Sequence, residues 1–203
     1  MFKEAAIEVI NGSWPMIIII TMIVVTMRIA YLMKNHKKIS LYKELLSLIF
    51  IIYILCLFNI VTFQDVNFGK SNYIPFKEMF RYELFTEKFF KNVMGNVILF
   101  IPYGFFTAYF LKCKRLWYPF FLTLLVSTMI EAVQLYIGRV FDIDDIILNI
   151  LGGLVGYFLY RLLDKIKHKL PKIFRQDWFL NLVILIVLVL VVLWLLNIIP
   201  LGV

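Results

Sequence analysis

Charged residues are scarce in this chain, and so are the residue types that build metal and disulfide sites. Of its 203 residues only 17% are charged and 63% are hydrophobic, against about 25% and about 45–50% in soluble domains. The two cysteines, Cys56 and Cys113, have no neighbours at metal-ligand spacing, so we infer neither a disulfide framework nor a thiolate metal centre. The two histidines, His36 and His168, both lie in basic loops. We therefore expect no cofactor and no metal site.

Several familiar catalytic motifs are also missing from the sequence. It contains no Walker-type glycine loop, no HExxH and no serine–histidine arrangement that would activate a hydroxyl nucleophile. The formal net charge of +8 could indicate nucleic-acid binding. The positive charges, however, are divided among short loops between apolar runs, a distribution typical of membrane topology signals. We therefore expect no nucleic-acid partner.

Long apolar runs dominate what remains. About 20 apolar residues cross a bilayer as a helix, and none of the runs alternates as a barrel strand would. We predict an all-α fold: a polytopic membrane helix bundle forming a single membrane domain over residues 1–203. Its six predicted transmembrane helices are 14–33, 45–63, 93–111, 116–137, 143–163 and 178–199.

Basic residues concentrate in alternate loops of this predicted bundle, which sets its orientation, because lysine and arginine favour the cytoplasmic side. We predict a multi-pass protein of the bacterial cell membrane with these loops in the cytoplasm. Both termini, the connection 64–91 and the turn between helices four and five would then face outside. The basic residues are Lys34, Lys37, Lys38 and Lys43, then Lys112, Lys114 and Arg115, then Arg161, Lys165, Lys167, Lys169, Lys172 and Arg175.

The connection 64–91 carries a repeating apolar pattern of its own. The spacing predicts an amphipathic helix that lies in the outer interface between helices 2 and 3. A helix packed as a lid on the bundle would have the same pattern. The apolar positions are Phe76, Met79, Phe80, Leu84, Phe85 and Phe89.

Polar side chains recur on one face of helices three, four and five. Intramembrane polar groups of this kind are costly in lipid and usually functional. We predict that they line an outward-facing polar pocket, whereas Asp144 lies off the stripe and has a structural role at the start of helix five. The predicted ligand-binding residues are Asn92, Asn96, Glu131, Gln134, Arg139, Asp142, Asp145 and Asn149.

Four blocks of residues resemble the VanZ-like family of bacterial membrane proteins. They are Ile74-Pro75-Phe76, then Asn96 with Phe100-x-Pro102-x-Gly104, then Ser127-x-x-x-Glu131-x-x-Gln134, then Arg139-x-x-Asp142-x-x-Asp145-x-x-x-Asn149-x-x-Gly152. The resemblance covers about residues 45–163. It implies a cell-membrane protein, and the family's founding member is associated with resistance to teicoplanin, a lipidated glycopeptide. It implies no settled biochemical activity.

Three functions fit these residues, and we favour the first. The pocket would bind a lipid headgroup or a lipid-linked envelope molecule, with Arg139 suited to phosphate or carboxylate. Alternatively, the chain is an intramembrane hydrolase or transferase acting on a lipid-linked substrate. Its catalytic candidates would be Glu131 and Asp145 as general acid and base, or both with Asp142 around a divalent cation. The polar residues would otherwise only lock the bundle or a protein partner.

Overall fold

The computed structural model describes residues 2–35, 40–63, 71–83, 86–169 and 171–195. Within these ranges the fold is all-α, as predicted, and the only β-type pairing is an isolated parallel bridge between Asn72 and Asp142. Six long helices are described: α1 Phe2–Lys34, α2 Leu41–Phe63, α3 Gly95–Leu111, α4 Trp117–Tyr136, α5 Ile143–Lys169 and α6 Asp177–Leu195.

Five of the described helical stretches are long and apolar enough to cross a membrane. They correspond to the first five predicted spans, and the chain is a membrane protein. The sixth prediction, 178–199, is described only to Leu195 as α6, and its last four residues lie outside the described residues. The five stretches are Trp14–Lys34, Leu41–Ile60, Glu87–Leu111, Trp117–Tyr136 and Ile143–Lys167.

The connection between α2 and α3 is not one continuous amphipathic helix in its described part. It contains a 3-10 turn at Met79–Arg81, followed by an extended Tyr82. Phe76 adopts the left-handed conformation with φ of 67°, which interrupts a right-handed helix. The segment 71–83 is thus a folded segment without a regular helix, which we call the strap. The apolar spacing that predicted a helix comes from the apolar side chains of this segment. Leu84 and Phe85 of that pattern lie outside the described residues.

A short π-helical turn leads into α3. Thr86 caps a helical turn at Glu87–Phe89 by accepting the amide of Phe89, and the π turn Phe90–Met94 follows. A π turn closes its hydrogen bonds over five residues instead of four and is frequent at functional sites. It shifts the angular position of residues before it relative to the face of α3.

Glycines bring α3 and α5 into backbone contact. A Cβ atom added at Gly104 would overlap the backbone of Gly153, and one at Gly156 would overlap the carbonyl of Ile101. The sequence predicts a smooth glycine surface on α5, and the structure identifies α3 as its partner. This close approach places the polar face of α5 beside Asn96.

The ends of the bundle differ in charge. At one end, Ser40 donates to Asp177 at 3.3 Å and Asn181 accepts the amide of Tyr42 at 2.8 Å, which joins α2 to α6. There also Tyr157 of α5 donates to the carbonyl of Lys114 at 3.1 Å. We call this the basic end, because three basic loops meet there. The α4–α5 turn and the strap meet at the opposite end, the acidic end.

Candidate functional site

The turn between α4 and α5 is set by one glycine and two carboxylates. Gly138 has a φ of 85°, a conformation that favours glycine at a helix C-terminus. The amide of Arg139 then donates to the carbonyl of Gln134 at 2.9 Å. Asp142 caps α5 by accepting the amide of Asp144 at 2.9 Å, and Glu131 accepts the amide of Asp142 at 2.9 Å. Glu131 therefore holds the turn from inside the bundle.

Asp144 anchors the strap to the start of α5. Its side chain is 1% exposed and accepts the backbone amides of Phe76, of Glu78 at 2.8 Å and of Met79 at 3.0 Å. A carboxylate bound by several amides satisfies donors that would otherwise lack a protein partner. The expected structural role of Asp144 therefore takes the form of a tether for a distant segment.

Asn72 joins the strap to the same helix start. Its side-chain amide donates to Asp142 at 2.9 Å, and its backbone pairs on both sides, with the carbonyl of Phe141 at 2.8 Å and the amide of Ile143 at 3.1 Å. Asn72 is 5% exposed. Sequence reasoning missed this residue because it lies in a loop 70 positions from its partner, without any periodic signal.

Asn96 reaches the site and Asn92 does not. The Asn96 side chain donates to Asp145 across the α3–α5 contact and to the carbonyl of Asn92 at 3.2 Å. The Asn92 side chain is exposed and donates to the carbonyl of Lys88 at 3.0 Å. Asn92 lies within the π turn, so the spacing of four residues does not bring both asparagines to the pocket.

The polar face of α4 continues inward from Glu131. Ser127 is fully buried and accepts the amide of Asn149 at 2.9 Å. The side-chain carbonyl oxygen of Asn149 and the hydroxyl of Thr123 are both buried. Neither has a hydrogen-bond partner among the described residues. Gln134 is also buried, at 8% exposure. The predicted stripe on α4 therefore faces α5, as expected, and extends one turn further to Thr123.

The electrostatics of the site are dominated by carboxylates. Arg139 is near enough to interact electrostatically with both Glu131 and Asp145. Burial raises the pKa of Asp142 above its usual value, and the hydrogen bond from Asn72 opposes this shift. Burial and then the negative charge of Glu78 raise the pKa of Tyr82, with smaller contributions from Asp142 and Asp145. Tyr82 therefore lies within electrostatic reach of these carboxylates, although its sequence position gave no such signal.

The cluster is covered in this structure. Glu131 is 1% exposed, and the strap lies across the end of the α4–α5 hairpin. Two surface depressions lie instead at the basic end, one of them lined by Leu111–Arg115 with Tyr118 and the other by the last turns of α5. Glu131 is therefore closed to solvent in this structure.

Chemically, the described site offers carboxylates, amides and one guanidinium. Among the residues that the structure describes, no three histidine, cysteine, aspartate or glutamate side chains are grouped as metal ligands would be. The two acids predicted as acid–base candidates are Glu131, which is buried, and Asp145, which is partly buried. Each holds a donor of the protein, from Asp142 and from Asn96 respectively.

The chain matches the model of the VanZ/LLP1 family over residues 45–164. It is 33% identical over 101 residues to "Protein VanZ" of Enterococcus faecium, an alignment that covers 49% of this chain. The chain spans 62% of that relative's length. No solved structure matches the chain. The family match includes the strap, the π turn, α4 and α5 as far as Asp164.

Proposed function

The chain belongs to the VanZ-like family, and from this premise we propose that it binds the headgroup of a membrane lipid or lipid-linked envelope molecule at its acidic end. The ligand's acyl chains would remain in the bilayer beside α3, α4 and α5. Binding of this kind would contribute to cell-envelope homeostasis or to resistance against glycopeptides of the teicoplanin type. The proposal places the acidic end outside the cell.

One observation carries this proposal: a partly buried cluster of carboxylates, amides and one guanidinium built from four separate segments. The strap, α3, α4 and α5 contribute Asn72, Asn96, Glu131 and Asp145 to one region. Desolvating several carboxylates is costly unless they are paired or used. Packing alone would need fewer of them, since amide and hydroxyl bridges between helices suffice for that purpose.

The predicted orientation in the membrane would place the cluster on the side where its proposed ligand is found. The strap and the α4–α5 turn meet at one end, and the basic loops meet at the other. Because lysine and arginine favour the cytoplasmic side, the carboxylates would face the compartment that contains cell-wall precursors. The apolar side chains of the strap, among them Tyr73, Ile74 and Phe80, are exposed and suit contact with the outer leaflet.

Conservative substitutions in the cluster test the function. We expect Glu131→Gln, Asp145→Asn and Arg139→Ala to leave the level of membrane protein unchanged. Glutamine and asparagine retain the shape of the acids they replace, and alanine at position 139 retains the backbone amide that donates to Gln134. The teicoplanin tolerance conferred on a susceptible host should fall to the level of an empty vector. Glu87→Gln, which changes an exposed carboxylate on the same side of the bundle, should behave as wild type. Loss of folded protein in all three variants would favour a purely structural cluster.

The alternative function is a carboxylate-dependent hydrolase or transferase on a lipid-linked substrate. The observation that favours it is a pair of acids, the buried Glu131 and the partly buried Asp145, which interact electrostatically across the α4–α5 interface. Incubating the purified chain with lipid-linked cell-wall precursor separates the two functions by mass spectrometry. A binding protein returns the precursor with unchanged mass, whereas turnover that disappears in Glu131→Gln would establish the enzyme.

A further inference from the structure

We propose that the basic end carries a second binding site, which holds the phosphate headgroup of an anionic phospholipid. The site is the loop between α3 and α4, residues 112–116, together with the first turn of α4. It is separate from the carboxylate cluster and does not depend on the function proposed for that cluster. Three features indicate it: a surface depression, a set of cations without acidic partners, and an apolar stripe that continues from them.

The loop borders a surface depression of about 460 Å³, within the range of about 300–1,000 Å³ that ligand sites occupy. Among the residues that the structure describes, its lining contains three cations and no acid. These residues are Leu111, Lys112, Cys113, Lys114, Arg115 and Tyr118. The other depression at the basic end has Arg161 and Lys165 in its lining, but also Asp164. The first depression therefore has the larger positive charge and suits an anion.

The cations of the loop are not compensated by the fold. No ion pair joins any of the three to another described residue. Lys165, Lys167 and Lys169 lie in the last turns of α5, where the helix dipole favours positive charge. Lys114 and Arg115 instead directly precede α4, whose first turn has no acidic residue, and there the dipole opposes a cation. A bound anion would stabilise this arrangement.

The backbone of the loop is held in place from two helices. Lys112 adopts the left-handed conformation with φ of 50°, and the amide of Cys113 donates to the carbonyl of Ala108 at 3.0 Å. Cys113 is buried and packs with Ala108 and Tyr157. Tyr157 of α5 also donates to the carbonyl of Lys114 at 3.1 Å. The basic side chains therefore project from a fixed frame, so binding costs less conformational entropy.

An apolar stripe on α4 indicates that the anion belongs to a lipid. Trp117 and Tyr118 are exposed beside the cations, and these residue types favour the headgroup level of a membrane. Exposed Phe121, Leu125 and Met129 follow Trp117 at intervals of four residues and so share one face of the helix. An acyl chain can lie along this stripe while its phosphate contacts the loop.

The experiment measures which lipids the purified full-length chain retains, by native mass spectrometry after exchange into an equimolar lipid mixture. The mixture contains phosphatidylglycerol, cardiolipin, phosphatidylethanolamine and phosphatidylcholine. We expect the two anionic lipids to be retained roughly tenfold more than the two zwitterionic lipids, because each nearby cation attracts an anionic headgroup. Equal retention of all four lipids would overturn the proposal and leave the carboxylate cluster untouched.

One triple variant removes the cations of the loop: Lys112→Gln, Lys114→Gln and Arg115→Gln. Its preference for anionic lipids should fall from roughly tenfold to about twofold or less while the protein stays monodisperse. Lys114→Gln alone should lower the preference about twofold, which keeps the test available if the triple variant does not fold. Lys112→Arg with Lys114→Arg retains the charge and should retain the preference. Equal preference in the triple variant and the wild type would contradict the site.

A second triple variant tests charge by itself: Lys165→Gln, Lys167→Gln and Lys169→Gln. It removes the same charge from the same end of the bundle, but from the last turns of α5, so it should keep the preference. An equal loss in both triple variants would show a general attraction by the basic end and would rule out the site. Competition by glycerol phosphate separates lipid from soluble phosphate. No displacement at equal concentration would assign the site to the lipid, whereas displacement would overturn the phospholipid.

Discussion

The acidic and basic ends of this bundle handle charge in opposite ways. At the acidic end, Asp144 is 1% exposed and accepts three amides from a distant segment. At the basic end, Lys43 faces Asp177 at 3.6 Å with 53% and 59% of their side chains exposed. Desolvated carboxylates make strong, directional bonds, and solvated pairs contribute little. Charge at the acidic end thus holds separate backbone segments together, whereas the exposed ion pair at the basic end contributes little to stability.

The two ends are proposed to face opposite sides of the membrane, and the largest expected effect is an all-or-none difference in cysteine labelling between them. In a background with Cys56→Ala and Cys113→Ala, a cysteine placed by Tyr136→Cys should react with an impermeant thiol reagent on intact cells. Tyr136 is 91% exposed near the acidic end. A cysteine placed by Lys114→Cys at the basic end should react only after permeabilisation. The reverse pattern would put the carboxylates in the cytoplasm and end the proposed contact with outer lipids.

Removing Asp144 should damage the acidic end more than any single change damages the basic end. Asp144→Ala leaves three part-buried amides of the strap without their acceptor, and each such donor costs about 1 kcal/mol or more. We expect a loss of roughly 3 kcal/mol or more in the free energy of unfolding. Thermal loss of monodisperse protein, measured by size-exclusion chromatography, should occur roughly 6–12 °C lower.

Two variants make this result specific. Asp144→Asn keeps one acceptor oxygen and should lose about half as much stability. Glu83→Ala changes an exposed carboxylate of the same strap and should have no measurable effect. Equal stability of Asp144→Ala and wild type would show that the strap is not held by Asp144.

The smallest expected effect is at the basic end. Lys43→Ala removes an ion pair that water screens, so the free energy of unfolding should change by about 0–1 kcal/mol. A double-mutant cycle with Asp177→Ala measures the coupling of the pair directly. A coupling above about 2 kcal/mol would exceed the range of exposed pairs, and the contrast between the two ends would then fail.

The sequence was sufficient for the helices and for the facing stripes of α4 and α5. Apolar length located the spans, and spacing of three and four placed Ser127, Glu131 and Gln134 on one buried face. The glycine pattern predicted a close contact for α5, which the structure assigns to α3. These features are local or periodic, so a single chain read in order contains the information.

The rest of the site depends on contacts that no local pattern encodes. Asn72 and Tyr82 lie on the strap, and Asp144 fixes the path of the strap. The hydrogen bonds between Asp144 and the strap join residues that are 65 to 72 positions apart in the sequence. Periodicity also fails to predict which residues share a face where the helix is irregular. Asn92 and Asn96 would lie on one face of a regular α-helix, but the π turn changes the angle between them. The amphipathic pattern of the strap likewise shows which side chains are apolar, but it does not determine the backbone conformation.

The π turn at Phe90–Met94 makes the two parts of this helix respond differently to a change in chain length. The turn accommodates about one residue more than a regular helical turn between Thr86 and α3. Deleting a single residue there would restore α-helical geometry and leave the segment before it in nearly the same direction. Deleting a single residue from the regular part of α3 would instead rotate everything before it by about 100° around the helix axis. The strap would then approach α5 from another direction, with its amides turned away from Asp144.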